Sequence, residues 1–209
     1  MRFIHASDLH IDSPLRGLDR YDGAPVDRLR SATRSALERL VDRALTERVD
    51  FLLLAGDIYD RDWQDFHTGL FFRGQMVRLE RAGIRCFIVQ GNHDAQGVIS
   101  RQLTLPSNVT VFSSRAAQTI RLDDLAVAIH GRSFPEREVN EDLVPSYPPP
   151  VPGFFNIGLL HTSLTGRAGH DTYAPTDLPT LVAKGYDYWA LGHVHAREVL
   201  HERPRIVFC

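Results

Sequence analysis

The sequence predicts an α/β fold in which two sheets pack as a sandwich flanked by helices. Three observations lead there. Short apolar runs, each closed by a polar cluster, recur along the chain; amphipathic helical stretches separate the first three of them; and a later pair of runs reads as a hairpin.

The runs come first. Residues 2–6 lead into Ser7-Asp8-Leu9-His10, residues 51–55 into Gly56-Asp57, and residues 86–90 into Gly91-Asn92-His93-Asp94. Residues 157–160 lead into His161, and residues 188–191 into Gly192-His193-Val194-His195. Continuous apolar runs of this kind are the signature of parallel strands buried on both faces. Between the first two, Leu29, Ala32, Thr33, Ala36, Leu37, Leu40, Val41, Ala44 and Leu45 recur at helical spacing, with Arg and Glu on the opposite face, so a helix packs on the sheet. A second amphipathic stretch over residues 66–82 stops at Gly83, a residue suited to ending a helix. Strand, helix, strand, helix, strand implies βαβ units with right-handed crossovers. Residues 119–122 and 126–129 flank Asp123-Asp124-Leu125 as a hairpin, which makes the sheet mixed. Pro145, Pro148, Pro149, Pro150 and Pro152 exclude a regular helix or ladder across their stretch. It reads as a loop inserted within one domain, because His161 lies beyond it and must meet the earlier clusters.

The chain of 209 residues suits one sizeable domain, taken here as 1–209. A composition of 43% hydrophobic and 24% charged residues is that of a globular protein and not of a disordered one. No apolar run approaches the roughly 20 residues of a membrane span, and the first residues lack the apolar stretch of a secretory signal. The default location is the cytoplasm. A net charge of -2 gives no global basic field of the kind that marks many nucleic-acid binders. Lys184 is the one lysine among 24 basic residues. That bias reads as genome composition, since phosphate binding needs clustered and not merely abundant arginine. Cys86 and Cys209 have neither a disulfide framework nor metal-type spacing, and no function is assigned to them.

Taken singly, each polar cluster is weak evidence. An Asp-x-His pair at a strand end often only satisfies backbone groups, and an Asn often caps a helix or turns a chain. Their conjunction carries the argument. Parallel strands deliver their carboxyl ends to one edge, so Asp8, His10, Asp57, Asn92, His161, His193 and His195 meet in one crevice. Carboxylates crowded there repel one another unless a cation is bound. So many ligands are too many for one tetrahedral zinc and suit two ions sharing a bridge. Mixed nitrogen and oxygen donors without thiolate favour Mn2+, with Fe, Zn or Mg as alternatives. Such a pair polarises a phosphoryl oxygen and activates water, which is phosphoester hydrolysis. His5, His67, His130, His170 and His201 fall outside the clusters; His170, after a glycine-rich loop, is the one that could reach the rim.

Asp8-Leu9-His10, Gly56-Asp57, Gly91-Asn92-His93-Asp94, His161 and Gly192-His193-Val194-His195 resemble, in this order, the calcineurin-like metallophosphoesterase superfamily. Ser7-Asp8-Leu9-His10-Ile11-Asp12-Ser13-Pro14, Leu160-His161-Thr162-Ser163 and the run from Gly185 through His193 resemble the SbcD-type DNA repair nucleases, in particular their YhaO-like branch. The resemblance implies that one ion takes Asp8, His10 and His195, the other Asn92, His161 and His193, and that Asp57 bridges them. It also implies that His93 stays uncoordinated and acts near the leaving oxygen, with Asp94 orienting it.

The function expected from this resemblance is a manganese-dependent, exonuclease-type DNA repair nuclease working with an SbcC-like ATPase; a homodimer is compatible with it. The enzymatic alternative is a phosphodiesterase for nucleotides or other small phosphoesters. A non-enzymatic scaffold would lack ligands, and none is missing. SbcD-type chains continue beyond the strand at residues 206–208, whereas this one stops at Cys209. The chain is therefore expected to be truncated, with substrate and partner contacts lying partly outside it.

Overall fold

Phe51, Leu52, Leu53, Leu54 and Ala55 are all fully buried, and the architecture is layered around them. The computed structural model describes residues 1–13, 31–60, 66–95, 103–166 and 172–209. Its first half runs β1 (Phe3–Ala6), α1 (Ala32–Glu47), β2 (Phe51–Ala55), α2 (Phe66–Arg81), β3 (Arg85–Val89) and β4 (Val109–Val111). These four strands form one wholly parallel sheet in the order β1-β2-β3-β4. The second half runs β5 (Gln118–Leu122), β6 (Val127–Gly131), a short 3-10 turn (Val144–Ser146), β7 (Phe155–His161), α3 (Leu178–Ala183), β8 (Tyr188–Gly192), β9 (Glu198–Glu202) and β10 (Arg205–Phe208). It forms a second sheet in the order β5-β6-β7-β8-β10-β9, antiparallel only at its two outer pairs.

Strand alternation explains the sandwich. Phe51, Leu53 and Ala55 of β2, with Phe87 and Val89 of β3, meet Val127, Ile129, Ile157, Leu159 and Ala190 of the second sheet. The intervening residues Leu52, Leu54, Cys86 and Ile88 point the other way, onto Leu37, Val41 and Ala44 of α1 and Phe72, Met76 and Leu79 of α2. Truncating one of these leucines to alanine would cost about 2–5 kcal/mol. The outer face of the second sheet is covered differently. Trp189, Leu191, Ile206 and Phe208 pack under Val144, Tyr147 and Leu181, so the proline-rich stretch and α3 roof that sheet. The Tyr147 hydroxyl donates to the Leu159 carbonyl at 2.8 Å and fastens the roof to β7.

The expected helices form where described. Helix α1 ends at Arg48, which is left-handed (φ 50), and the turn after α2 passes through left-handed Gly83 (φ 72). Leu29, included in the helical periodicity, lies outside the described residues, as does Pro14 of the first extended motif. The hairpin β5–β6 is present. The proline-rich stretch departs slightly from expectation, since its first residues form the 3-10 turn. Pro145 fits at the start of that turn, where no backbone N–H is needed. Strands β4 and β9 go beyond the sequence expectation: one is three residues long, and the other, Glu-Val-Leu-His-Glu, is a half-exposed edge.

Candidate metal centre

All five polar clusters sit at the carboxyl ends of β1, β2, β3, β7 and β8, where the edges of the two sheets converge. The convergence is tight. A methyl group on Gly91 would strike the carboxylate of Asp57 and the ring of His161, and one on Gly192 would strike the Ala55 carbonyl and the Ser7 side chain. The glycines in front of Asn92 and His193 are therefore demanded by space. The loop backbones are also strained. Asp8 (φ 52), His10 (φ 40), Asp57 (φ 53) and His193 (φ 103) all occupy left-handed conformations, each costing roughly 1–2 kcal/mol in a non-glycine residue. Strain of this kind persists where side chains must be aimed.

Asp57 lies at the middle. Its Oδ2 is 3.4 Å from His161 Nε2 and 3.9 Å from His10 Nε2, so one carboxylate oxygen faces two imidazoles. Its Oδ1 accepts the backbone N–H of His93 at 2.9 Å. On one side, Asp57, His161 and His193 are all buried and bring a ligand atom each within the reach of one ion. Asn92 joins them, its Oδ1 2.9 Å from His161 Nε2. His161 donates from Nδ1 to the Ala55 carbonyl at 2.8 Å, which leaves Nε2 to face the carboxamide and the carboxylate. On the other side, Asp8, His10 and His195 form a second ion-sized group, open to solvent at His195. Asp8 is steered by the Ser7 hydroxyl, which donates to its Oδ2 at 2.6 Å, and by the His193 backbone N–H at 2.9 Å.

The protonation of the metal-free site tests whether cations fit it. Burial works against charge on His161, yet the adjoining Asp57 carboxylate more than offsets it and lifts the imidazole to about 9. Burial likewise works against charge on Asp57, and His161 overcomes it, holding the carboxyl well below the usual range. Protein acceptors thus surround a nitrogen that must carry a proton when no ion is present. A divalent ion at that point replaces the proton and satisfies the same donors. His10 Nε2 makes the same point more simply, because it is buried with no hydrogen-bond partner among the described residues. The donor set of imidazole, carboxylate and carboxamide suits a borderline divalent ion.

His93 makes a third ion-sized group with His10 and Asp60, its ring 4.7 Å from that of His10. Its Nδ1 lies 2.7 Å from Asp60 Oδ1, while Asp60 Oδ2 accepts from the Ser13 hydroxyl at 2.6 Å. Burial would raise the Asp60 carboxyl, but the Ser13 hydroxyl and His93 bring it below its ordinary value. This corrects the expectation for Asp94. That carboxylate is 2% exposed and accepts the backbone N–H groups of Ile58, Tyr59 and Gly91, bracing the loop after β2 against the loop after β3. Neighbours along the chain point in different directions here, so Asp60 and not Asp94 orients His93. Burial, with Asp57 nearby, pushes the Asp94 carboxyl up to about 7. The sequence does carry a signal for Asp60, an Asp three residues after Asp57, but in an irregular loop it has no periodicity to mark it.

The remaining histidines have other work. His5 is held by the Tyr188 hydroxyl and the Leu191 carbonyl between the sheets, and buried His130 by Thr119 and Asn156. His201 meets the Pro204 carbonyl. Among the described residues none of these, nor His67, joins an ion-sized group; His170 lies outside the described residues.

Five strand ends that bring ion-sized groups of histidine and aspartate together agree with what comparison with known proteins finds. The profile of calcineurin-like phosphoesterases matches residues 1–197. The chain belongs to the calcineurin-like phosphoesterase family. This phosphoesterase is 36% identical over 212 residues to the uncharacterized metallophosphoesterase YhaO of Bacillus subtilis (strain 168), covering 100% of this chain and 52% of that protein. It is 25% identical to the DNA double-strand break repair protein Mre11 of Methanopyrus kandleri, over 98% of this chain and 47% of that one. It is 29% identical over 117 residues to one of the subunits of the SbcCD nuclease of Escherichia coli (strain K12), 54% of this chain and 27% of that one. The chain thus spans about half the length of the first two, or less in the third case. Among solved structures, a dimetal phosphatase from Danio rerio shares the fold, with a TM-score of 0.54 at 10% identity over 98% of this chain and 86% of that one. The family is one of phosphoesterases for which divalent metal ions are implied, and the described residues of this chain offer groups able to hold such ions. Among the described residues, no helix is long and apolar enough to cross a membrane.

Proposed function

We propose that residues 1–209 form the catalytic domain of a manganese-dependent DNA nuclease of exonuclease type that hydrolyses phosphodiester bonds with two metal ions. The observation that carries the two-ion reading is Asp57 Oδ2, placed between His161 Nε2 at 3.4 Å and His10 Nε2 at 3.9 Å. In this reading Asp8, His10 and His195 hold one ion, Asn92, His161 and His193 hold the other, and Asp57 bridges. Bound divalent ions would polarise the phosphoryl oxygen and supply hydroxide near neutral pH. The chain's own contribution is geometric. His161 is fixed in one tautomer by the Ala55 carbonyl, Asp8 is steered by Ser7, and His93 is held by Asp60 through Nδ1, which leaves its Nε2 to donate a proton to the leaving oxygen.

The choice of DNA rests on relatives named as part of a nuclease and as a double-strand break repair protein. The relative named as a subunit of the SbcCD nuclease supports, as partner, the SbcC-like ATPase that the sequence resemblance implies. The test is an assay across linear duplex, single-stranded and circular DNA and a small chromogenic phosphodiester, each with Mn2+, Fe2+, Zn2+ and Mg2+. Manganese-dependent loss of linear DNA from its ends is expected. Hydrolysis of the small diester with no DNA form degraded, even when the part of the longer relatives that this chain does not span is supplied, would assign the site to nucleotides or other small esters instead.

A further inference from the structure

We propose that Asp12 is a positioning residue for the open half of the metal centre, fastening the loop that carries Asp8 and His10 to both helices that cover the first sheet. The proposal rests on the assignment of Asp8, His10 and His195 to one ion. Residues 7–13 form a curl in which every second residue is left-handed: Asp8 (φ 52), His10 (φ 40) and Asp12 (φ 59). The intervening Ile11 is fully buried in the core against α1 and α2, and Leu9 packs on the same cluster. The curl therefore presents Asp8 and His10 to the ions while its apolar residues face the helices. Three left-handed residues in five are costly together, and something must hold them.

Backbone bonds hold part of the curl. The N–H groups of Asp8, His10 and Ile11 donate to the carbonyls of Gly56, Asp57 and Ile58, each at 3.0 Å. The curl's far end is held by Asp12. Its carboxylate takes a two-pronged contact from Arg34 of α1, Nε to Oδ1 at 2.7 Å and Nη2 to Oδ2 at 2.5 Å, and accepts the Thr68 hydroxyl of α2 at 2.5 Å. Its own N–H donates to the Thr33 hydroxyl at 3.1 Å. The Arg34 guanidinium lies over the Phe71 ring, 4.9 Å from its centroid, so the fork is held between an aromatic face and a carboxylate. Among the described residues Asp12 belongs to no ion-sized group. A carboxylate two residues past His10, turned away from the ions and bound by two helices, fixes the angle at which the curl ends. His161 of the buried half needs no such tie, because it is the last residue of β7 and is held by the strand ladder itself.

The test uses the full chain and calorimetric titration with Mn2+ on Asp12→Asn, Arg34→Met and His195→Ala, together with melting of the metal-stripped proteins. In Asp12→Asn and Arg34→Met the weaker Mn2+ should lose about ten- to a hundredfold in affinity, the usual effect of removing an outer support, while the tighter one is unchanged. His195→Ala should remove the weaker ion. A merely structural role would lower the melting point of the metal-free proteins and weaken both ions in parallel, and that result overturns the proposal. So does an unchanged weaker ion in both Asp12→Asn and Arg34→Met. If His195→Ala leaves both ions bound, the ligand assignment itself fails, separately from the role of Asp12. Should Asp12→Asn not fold, Arg34→Met decides, since methionine keeps the apolar packing on Phe71 without the fork.

Discussion

The two halves of the metal centre use the same residue types on different kinds of backbone. In the buried half, Asp57, His161 and His193 are 2%, 0% and 6% exposed. There His161 ends a core strand and its ring is locked by a strand carbonyl. In the open half, Asp8 and His10 sit on a strained curl, and the His195 side chain is 56% exposed. The buried half, although Asp57 and His193 are left-handed as well, is packed dry around a strand end, while the open half is held in shape by contacts outside the centre. The difference teaches where affinity and where access reside. On the proposed ligand assignment, the tighter ion is expected in the buried half and the more exchangeable one in the half exposed at His195.

The joint between the halves should be the most sensitive point. Asp57→Asn, which removes the charge shared by both groups, is expected to weaken both ions and take phosphodiester turnover to background; metal content and rate measured on one preparation check this. Loss of a single ion would break the comparison, because Asp57 would then belong to one half only. Next in size is His93→Ala, expected to lower turnover by about a hundred- to ten-thousandfold with both ions retained, the range for a positioned proton donor. Asp60→Asn should follow in the same direction by a smaller factor. Metal content falling together with rate in His93→Ala would make it a ligand.

Much of this was legible in the sequence, for a physical reason. Parallel strands in a buried sheet are apolar throughout and stop abruptly, so the polar residue that follows each run marks the sheet edge, and Asp8, Asp57, Asn92, His161 and His193 fall there. The short edge strands β4 and β9 carry no such contrast, since a half-exposed edge needs neither a long apolar run nor strict alternation. Side-chain direction within loops was equally hidden. Asp94 is adjacent to His93 in sequence, yet a turn sends its carboxylate inward to three backbone N–H groups, and Asp60 arrives from another strand end. The Arg34 and Thr68 contacts to Asp12 link segments distant in sequence, and no local pattern announces them.

That distinction between Asp60 and Asp94 can be sharpened by stability. Asp94→Asn keeps the shape but leaves buried N–H groups without an acceptor, so chemical denaturation should register a loss of about 1–3 kcal/mol. Asp60→Asn, at a half-exposed position, should change rate far more than stability. The opposite pattern would return the orienting role to Asp94. A smaller effect concerns pH. In the metal-free protein the His161 imidazole is raised above its ordinary value to about 9, because Asp57 outweighs the opposing effect of burial. Its contribution to stability is therefore complete below about pH 6.5 and is lost as pH rises through about 9. The melting point of chelator-stripped protein should fall over that window, and that of the manganese-loaded protein should not, since the ion has already displaced the proton. A flat profile in the stripped protein would contradict the pairing of His161 with Asp57.

The most direct measurement is a Mn2+ titration of the metal-stripped chain followed by electron paramagnetic resonance. The first equivalent should enter the buried half and give the signal of an isolated ion. The second should enter the open half and replace that signal with one from a magnetically coupled pair, because the Asp57 carboxylate joins them. Asp57→Asn should lose the coupled signal. Saturation at one ion per chain, or two ions that remain uncoupled in the wild-type protein, would contradict a centre built of two halves around a shared carboxylate.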